Sequence, residues 1–323
     1  MRPPEVPEAV LQKAIALGVE GHRWLRCLPD VLAELSSEWD LVVGPALPGG
    51  SEAYVAAVTT RDGIDAVLKL EIPEEPSFTT GTRFETTAWI FRVAYGRPYA
   101  RLLRHDATRQ ALLLERLGPS LRASGLAVGV QIEILCGMLR EAWQISAAVP
   151  LESGADKARR LAAFIAGTWE ELQRPCSERA VEQALAFAGA RAAAFDPDRS
   201  VVVHGDAHAG NALRALGEAS VDKQSFRFVD PECFLAEPSY DLGISMRDWT
   251  DELLAGDAVR VGRERCALLA RLSGVAPQPI WEWGFIERVS TGLFLLKVGA
   301  STVGRDALAV ADLWSLDGNT AHR

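Results

Sequence analysis

The chain has 323 residues, 48% of them hydrophobic and 24% charged, which gives enough apolar mass for a sizeable core, suits two lobes better than one and leaves no room for a disordered class. A net charge of −9 with no Lys/Arg block excludes a dedicated nucleic-acid surface and is compatible with a cationic small molecule. Five scattered cysteines (Cys27, Cys136, Cys176, Cys233 and Cys266), no apolar run of membrane length and no signal core after Met1-Arg2-Pro3-Pro4 predict a cytoplasmic protein with reduced thiols and no membrane partner, as a monomer or homodimer.

In chain order, apolar positions at helical spacing predict helices over 7–18 and 20–36, the second with Trp24, Leu25, Leu28, Val31, Leu32 and Leu35 on one face. Short apolar or β-branched runs then predict strands at 41–43, 54–60 and 66–70, separated by a Gly-Pro-rich loop, Gly44–Ser51, and the turn Arg61-Asp62-Gly63. A helix over 84–95 and strands over 99–105 and 111–116 complete a five-stranded antiparallel small lobe, 1–117. The remainder, 118–323, reads as a larger, mainly helical lobe, with helices at 128–147, 157–173, 178–195, 240–255, 258–273, 281–298 and 304–315. Two short strands, 201–203 and 226–229, interrupt it, and the fold class is α+β and bilobal.

The densest chemical signal is the loop His204-Gly205-Asp206-Ala207-His208-Ala209-Gly210-Asn211, with Asp230 at the end of the next strand. Phosphoryl transfer needs a carboxylate beside the attacking hydroxyl and oxygen ligands for Mg2+, and an Asp, an Asn five positions later and a second strand-end Asp supply them in the order protein kinases use. Singly, each would be read as a turn cap; together and in order they point to catalysis by Asp206 with Asn211 and Asp230 on the metal. Lys69, in the apolar run Ala66–Leu70, needs an anion, and Glu85 on the following helix is the candidate that would hold it against the ATP phosphates. Gly49, Gly50 and Ser51 offer backbone N–H groups to phosphates, and Glu115 and Leu117 offer backbone groups to an adenine edge. Between Glu232 and Asp257 seven acidic residues face one basic residue, Arg247; Glu232, Asp248, Asp251 and Glu252 are candidates for a wall that attracts a cationic acceptor, and Asp241 for a buried brace of the Asp206 loop. His204 and His208 read as residues that orient backbone, and of Trp281 and Trp283, two apart on a helix, one is expected to border a cleft.

These motifs resemble the aminoglycoside phosphotransferases, within them the streptomycin 6-kinase and aminoglycoside/hydroxyurea antibiotic resistance kinase group. The resemblance runs from Gly18-Val19-Glu20-Gly21 through Leu68-Lys69-Leu70, Glu85-Thr86-Thr87-Ala88 and Arg101–Asp106, and is most specific at His204–Asn211 and at Val229-Asp230-Pro231-Glu232 through Leu242. It implies a bilobal, protein-kinase-like fold, ATP and Mg2+ as cofactors, and the roles given above to Lys69, Glu85, Asp206, Asn211 and Asp230. The expected activity is transfer of the ATP γ-phosphate to a hydroxyl of an aminoglycoside or aminocyclitol antibiotic, with resistance as the outcome. The alternatives are a kinase of another small metabolite, such as an amino sugar or a hydroxyurea-like compound, and a nucleotide-binding pseudokinase module.

Overall fold

The computed structural model describes residues 4–48, 50, 52–73, 83–216 and 225–317. It divides into two compact units, Met1–Gly118 with Arg214–Arg227, and Pro119–Leu213 with Phe228–Arg323.

The first unit opens with α1 (Glu8–Ala16) and α2 (Gly18–Trp39). Gly21 is required where α2 turns against α1, because a Cβ there would lie 1.7 Å from the Ala14 carbonyl oxygen. The strands β1 (Leu41–Ala46), β2 (Ala53–Thr60) and β3 (Asp65–Glu71), the helix α3 (Arg83–Ala94), and the strands β4 (Leu102–Asp106) and β5 (Ala111–Glu115) follow. The sheet is antiparallel in the order β1-β2-β3-β5-β4. Strand β1 runs through Gly44-Pro45, where a loop is expected, because a register shift between Val43 and Ala46 accommodates a proline that cannot donate to the ladder. Val10 and Ala14 of α1 and Leu28, Leu32 and Leu35 of α2 pack with Tyr54, Val58, Leu68, Leu70 and Leu113 of the sheet in one apolar core. Period-two alternation therefore puts Lys69 and Glu71 on the face away from that core.

The second unit holds α4 (Val128–Ala142), α5 (Gly154–Glu171), α6 (Glu178–Ala193) and β6 (Val201–Val203). Ser153 caps α5 by accepting the Asp156 N–H at 3.1 Å, and Ser177 caps α6 by accepting the Ala180 N–H at 3.2 Å. The short strands β7 (Ala212–Arg214) and β8 (Phe226–Phe228) pair with each other, and β9 (Phe234–Ala236) pairs with β6. Next come α7 (Ser239–Arg247), α8 (Thr250–Leu254), α9 (Ala258–Ser273), α10 (Pro277–Lys297) and α11 (Ser301–Leu316). The single helix expected over 240–255 is broken at Asp248-Trp249, where Trp249 takes a left-handed conformation with φ 51°.

Helix α10 is buried on nearly every side along its first two-thirds. Both Trp281 and Trp283 are consequently buried, where one was expected to border a cleft: Trp281 packs on Trp314 with ring centroids 4.6 Å apart, and Trp283 donates its indole N–H to Glu237 at 2.9 Å. Gly243 of α7 and Gly284 of α10 let these helices touch, since a Cβ on Gly284 would sit 2.4 Å from that of Met246. That close crossing brings Glu287 and Arg288 of α10 within reach of the end of α7.

All five cysteines are free thiols. Among the described residues no helix is long and apolar enough to cross a membrane.

Candidate active site

Strand β6 ends at Val203, and the chain turns sharply through Gly205, whose φ is +87°. A side chain there would lie 2.8 Å from Glu232 Cβ and 3.0 Å from the Phe234 ring, so the turn needs glycine twice over. His204 is fully buried; the Asp206 N–H donates to its Nδ1 at 3.1 Å, which leaves Nε2 as the donor to the Val229 carbonyl at 3.0 Å. Burial pushes the His204 imidazole down to about 4, so at neutral pH it is an uncharged strut between the loop and the β8 exit.

Asp241, in the first turn of α7 and fully buried, grips the start of the loop. Its carboxylate accepts the His204 and Gly205 N–H groups, each at 2.9 Å, and the Trp143 indole N–H at 3.0 Å. Burial nevertheless pushes its carboxyl up to about 6 against those three donors.

Asp206 points both oxygens at protein donors. Arg247 pairs with Oδ1, while Oδ2 accepts from Asn211 Nδ2 at 3.0 Å and lies 3.4 Å from His208 Nε2. His208 in turn accepts the Gly210 N–H on Nδ1 at 3.0 Å, so its Nε2 carries the proton that faces Asp206. Burial alone would raise the Asp206 carboxyl, but the Arg247 guanidinium and His208 outweigh it and hold the group far below the usual carboxylate range. Arg247 is itself held by Glu287 at 3.0 Å, and Glu287 also accepts from the Tyr240 hydroxyl.

Removing the Arg247 charge should therefore release Asp206. In Arg247→Met, kcat is expected to fall and the acid limb of its pH profile to move upward, to the usual carboxylate value of about 4 or higher, because burial then acts unopposed by the guanidinium. Arg247→Lys should recover part of the shift, and an unmoved acid limb would detach Arg247 from Asp206.

Asn211 is held by the same contacts. Its Nδ2 donates to the Asp206 carbonyl and carboxylate, both at 3.0 Å, which leaves the amide oxygen as the atom available to a cation. Asp230, just past β8, is exposed and adopts φ 54°. An amide oxygen and a carboxylate are hard donors of the kind Mg2+ prefers, and Mg2+ takes its remaining ligands from phosphates and water.

The expected acidic wall is largely engaged within the protein. Glu232 pairs at 2.8 Å with buried Lys157, which also lies over the Phe234 and Tyr240 rings. Asp248 is buried and pairs with Arg122 at 2.5 Å, and Glu252 pairs with Arg265 at 2.7 Å. Asp251 is exposed. Spacing in the sequence does not disclose these partners, which lie on other elements, Arg265 13 residues from Glu252 and Lys157 75 residues from Glu232.

In the first unit, Lys69 is buried and forms an ion pair with Glu71 at 3.5 Å. Glu85, the partner expected from the helix, is exposed in the first turn of α3. Lys69 and Glu71 share a strand face at i, i+2, a relation visible in the sequence. Glu115 accepts the Arg101 N–H on its side chain at 2.7 Å and donates its own N–H to the Arg101 carbonyl at 2.9 Å, so that N–H is already committed. Leu117 is buried, Gly50 has φ 78°, and Gly49 and Ser51 lie outside the described residues.

A family model described as Aminoglycoside/hydroxyurea antibiotic resistance kinase matches residues 38–299. A streptomycin 6-kinase of Streptomyces glaucescens is 28% identical across 95% of this chain and 96% of its own length. A hydroxyurea phosphotransferase of Kitasatospora aureofaciens is 30% identical across 86% of this chain and 80% of its own. Among solved structures, choline kinase LicA from Streptococcus pneumoniae superposes with a TM-score of 0.59 over 90% of this chain and 99% of that one, at 11% identity, a likeness of fold alone.

Proposed function

Because the chain belongs to the aminoglycoside/hydroxyurea antibiotic resistance kinases, a family of phosphotransferases, we propose that it moves the γ-phosphoryl group of ATP to a hydroxyl of a streptomycin-like aminocyclitol and so confers resistance. The observation that carries this reading is the Asp206 carboxylate held between Arg247 and Asn211 in a loop braced by buried Asp241. Asp206 retains a lone pair on Oδ1 for the acceptor O–H. A carboxylate held so far below its usual range is too weak a base to remove that proton in advance; it orients the hydroxyl and takes the proton as transfer proceeds. The acceptor oxygen forms its bond to the γ-phosphorus, the bond to the bridging oxygen breaks, and ADP leaves with that electron pair.

Asn211 and Asp230 would hold Mg2+, which neutralises phosphate charge. Lys69, kept in place by Glu71, is assigned the nucleotide phosphates.

A second reading has a specific observation in its favour. With Glu232, Asp248 and Glu252 spent on Lys157, Arg122 and Arg265, few carboxylates remain for a polycation, and a small, weakly charged acceptor of the hydroxyurea kind fits that electrostatics. Steady-state kinetics with streptomycin, other aminoglycosides, amino sugars and hydroxyurea separates the two. The first reading expects the highest kcat/KM for an aminocyclitol, with KM rising as salt screens exposed Asp251. A salt-independent preference for hydroxyurea would replace it with the second.

A further inference from the structure

Asp248 was a sequence candidate for acceptor binding, yet its carboxylate is turned into the protein. Oδ2 accepts the Ala209 N–H at 3.3 Å and Oδ1 meets Arg122 Nη2 at 2.5 Å. Arg122 closes the ring, since its backbone N–H donates to the Ala209 carbonyl at 3.0 Å while its guanidinium holds Asp248. The fully buried Ala209 peptide is thereby held on its N–H side by Asp248 and on its C=O side by Arg122. Asp248 is fixed in its turn, its carbonyl accepting Arg265 Nη1 at 2.6 Å, and this tie lies where α7 breaks and Trp249 takes its left-handed conformation.

We infer that Asp248 and Arg122 form a clamp on the second half of the catalytic loop that sets the position of Asn211, and that Asp248 is a positioning residue, not an acceptor contact. Asp241 holds the loop at 204–205 and the clamp holds it at 209, so Asp206 and Asn211 lie between two fixed points. The turn between the clamp and Asn211 has little slack. The Gly210 N–H is bonded to His208 Nδ1, the Asn211 N–H to the His208 carbonyl at 2.9 Å, and a Cβ on Gly210 would lie 2.7 Å from the His208 ring. A displaced Ala209 peptide would therefore carry Asn211 with it and move its amide oxygen. The inference rests on the phosphotransferase reading for the metal role of Asn211, and it identifies Arg122, which the sequence did not single out, as part of the machinery.

The test uses Asp248→Asn, Arg122→Ala and the double variant in the full chain. Mn2+ binding in the presence of a non-hydrolysable ATP analogue is measured by electron paramagnetic resonance, beside kcat and the acceptor KM. The clamp predicts that each single variant weakens Mn2+ binding and lowers kcat by about tenfold or more, as for partners that orient a ligand from behind. It also predicts an acceptor KM within about twofold of wild type and a double variant no worse than the poorer single one. The Arg122 side chain is 45% exposed against 10% for Asp248, so Arg122→Ala keeps the test decisive if Asp248→Asn fails to fold. A raised acceptor KM with unchanged Mn2+ affinity in Asp248→Asn, or an Arg122→Ala variant like wild type in both readouts, would overturn the clamp. Should wild type bind the Mn2+–nucleotide complex and transfer to no acceptor, the functional reading falls, while the Mn2+ titrations still decide the clamp.

Discussion

Replacing Asp206 by asparagine is expected to lower kcat for phosphoryl transfer by about 10^3-fold, within the range found when a positioned acid–base group is lost, with little change in nucleotide affinity. The substitution keeps the shape of the side chain and removes two things at once. The acceptor hydroxyl loses the anionic oxygen that aligns it and receives its proton. Arg247, now facing an amide, keeps Glu287 as its carboxylate partner and can follow it away from the loop. Arg247→Met removes only the second contact, so its loss should be smaller and greatest at low pH, whereas the Asp206→Asn loss should persist undiminished at every pH. Equal kcat for wild type and Asp206→Asn would remove Asp206 from the reaction.

The second large effect is predicted for Asp241→Asn. Three donors, the N–H groups of His204 and Gly205 and the Trp143 indole, converge on two carboxylate oxygens, and an amide offers one oxygen while turning an NH2 group against the others. A buried donor left without its acceptor costs about 1–3 kcal/mol. The displaced turn then carries Asp206 with it, and a shift of about 1 Å in a positioned catalytic group can cost about 10^2-fold in rate. The pH dependence of the stability loss has a definite sign. Burial raises the Asp241 carboxyl to about 6 in the folded protein, above its value of about 4 in an unfolded chain. The folded state therefore holds a proton that the unfolded chain releases between those values, and the group's contribution to folding is full below about 4 and lost as pH rises through about 6. Urea midpoints of wild type and Asp241→Asn should thus draw further apart as pH falls from about 6 towards 4. A gap that narrows over that range would place the Asp241 pKa on the other side of its ordinary value.

The parts of the fold legible in the sequence are those written in local patterns. Helical spacing gave α2, α5, α6 and α9 to within a few residues, and short apolar or β-branched runs gave β2, β3 and β5. The Asp206-to-Asn211 spacing disclosed a loop in which the two side chains touch, and the buried brace at Asp241 followed from its place after Pro238-Ser239-Tyr240. What stayed hidden depends on partners remote in sequence. Helical periodicity continues across 240–255, but buried contacts from Ala209, Arg122 and Arg265 hold Asp248 out of the helix. A count of charges makes the same segment look acidic, and only the folded chain reveals Lys157 beside Glu232. Lys69 shows the converse. Chain order suggested Glu85, whereas strand alternation, which was available in the sequence, places Glu71 on its side of the sheet.

The most direct test of the central claim is identification of the product. Wild type incubated with ATP, Mg2+ and each acceptor should yield, for at least one of them, an acceptor ester carrying one phosphoryl group and an equal amount of ADP, detected by mass spectrometry and 31P NMR, with the ester absent for Asp206→Asn. ADP and phosphate released with no phosphorylated acceptor in the panel, or the same ester formed by Asp206→Asn, would contradict it.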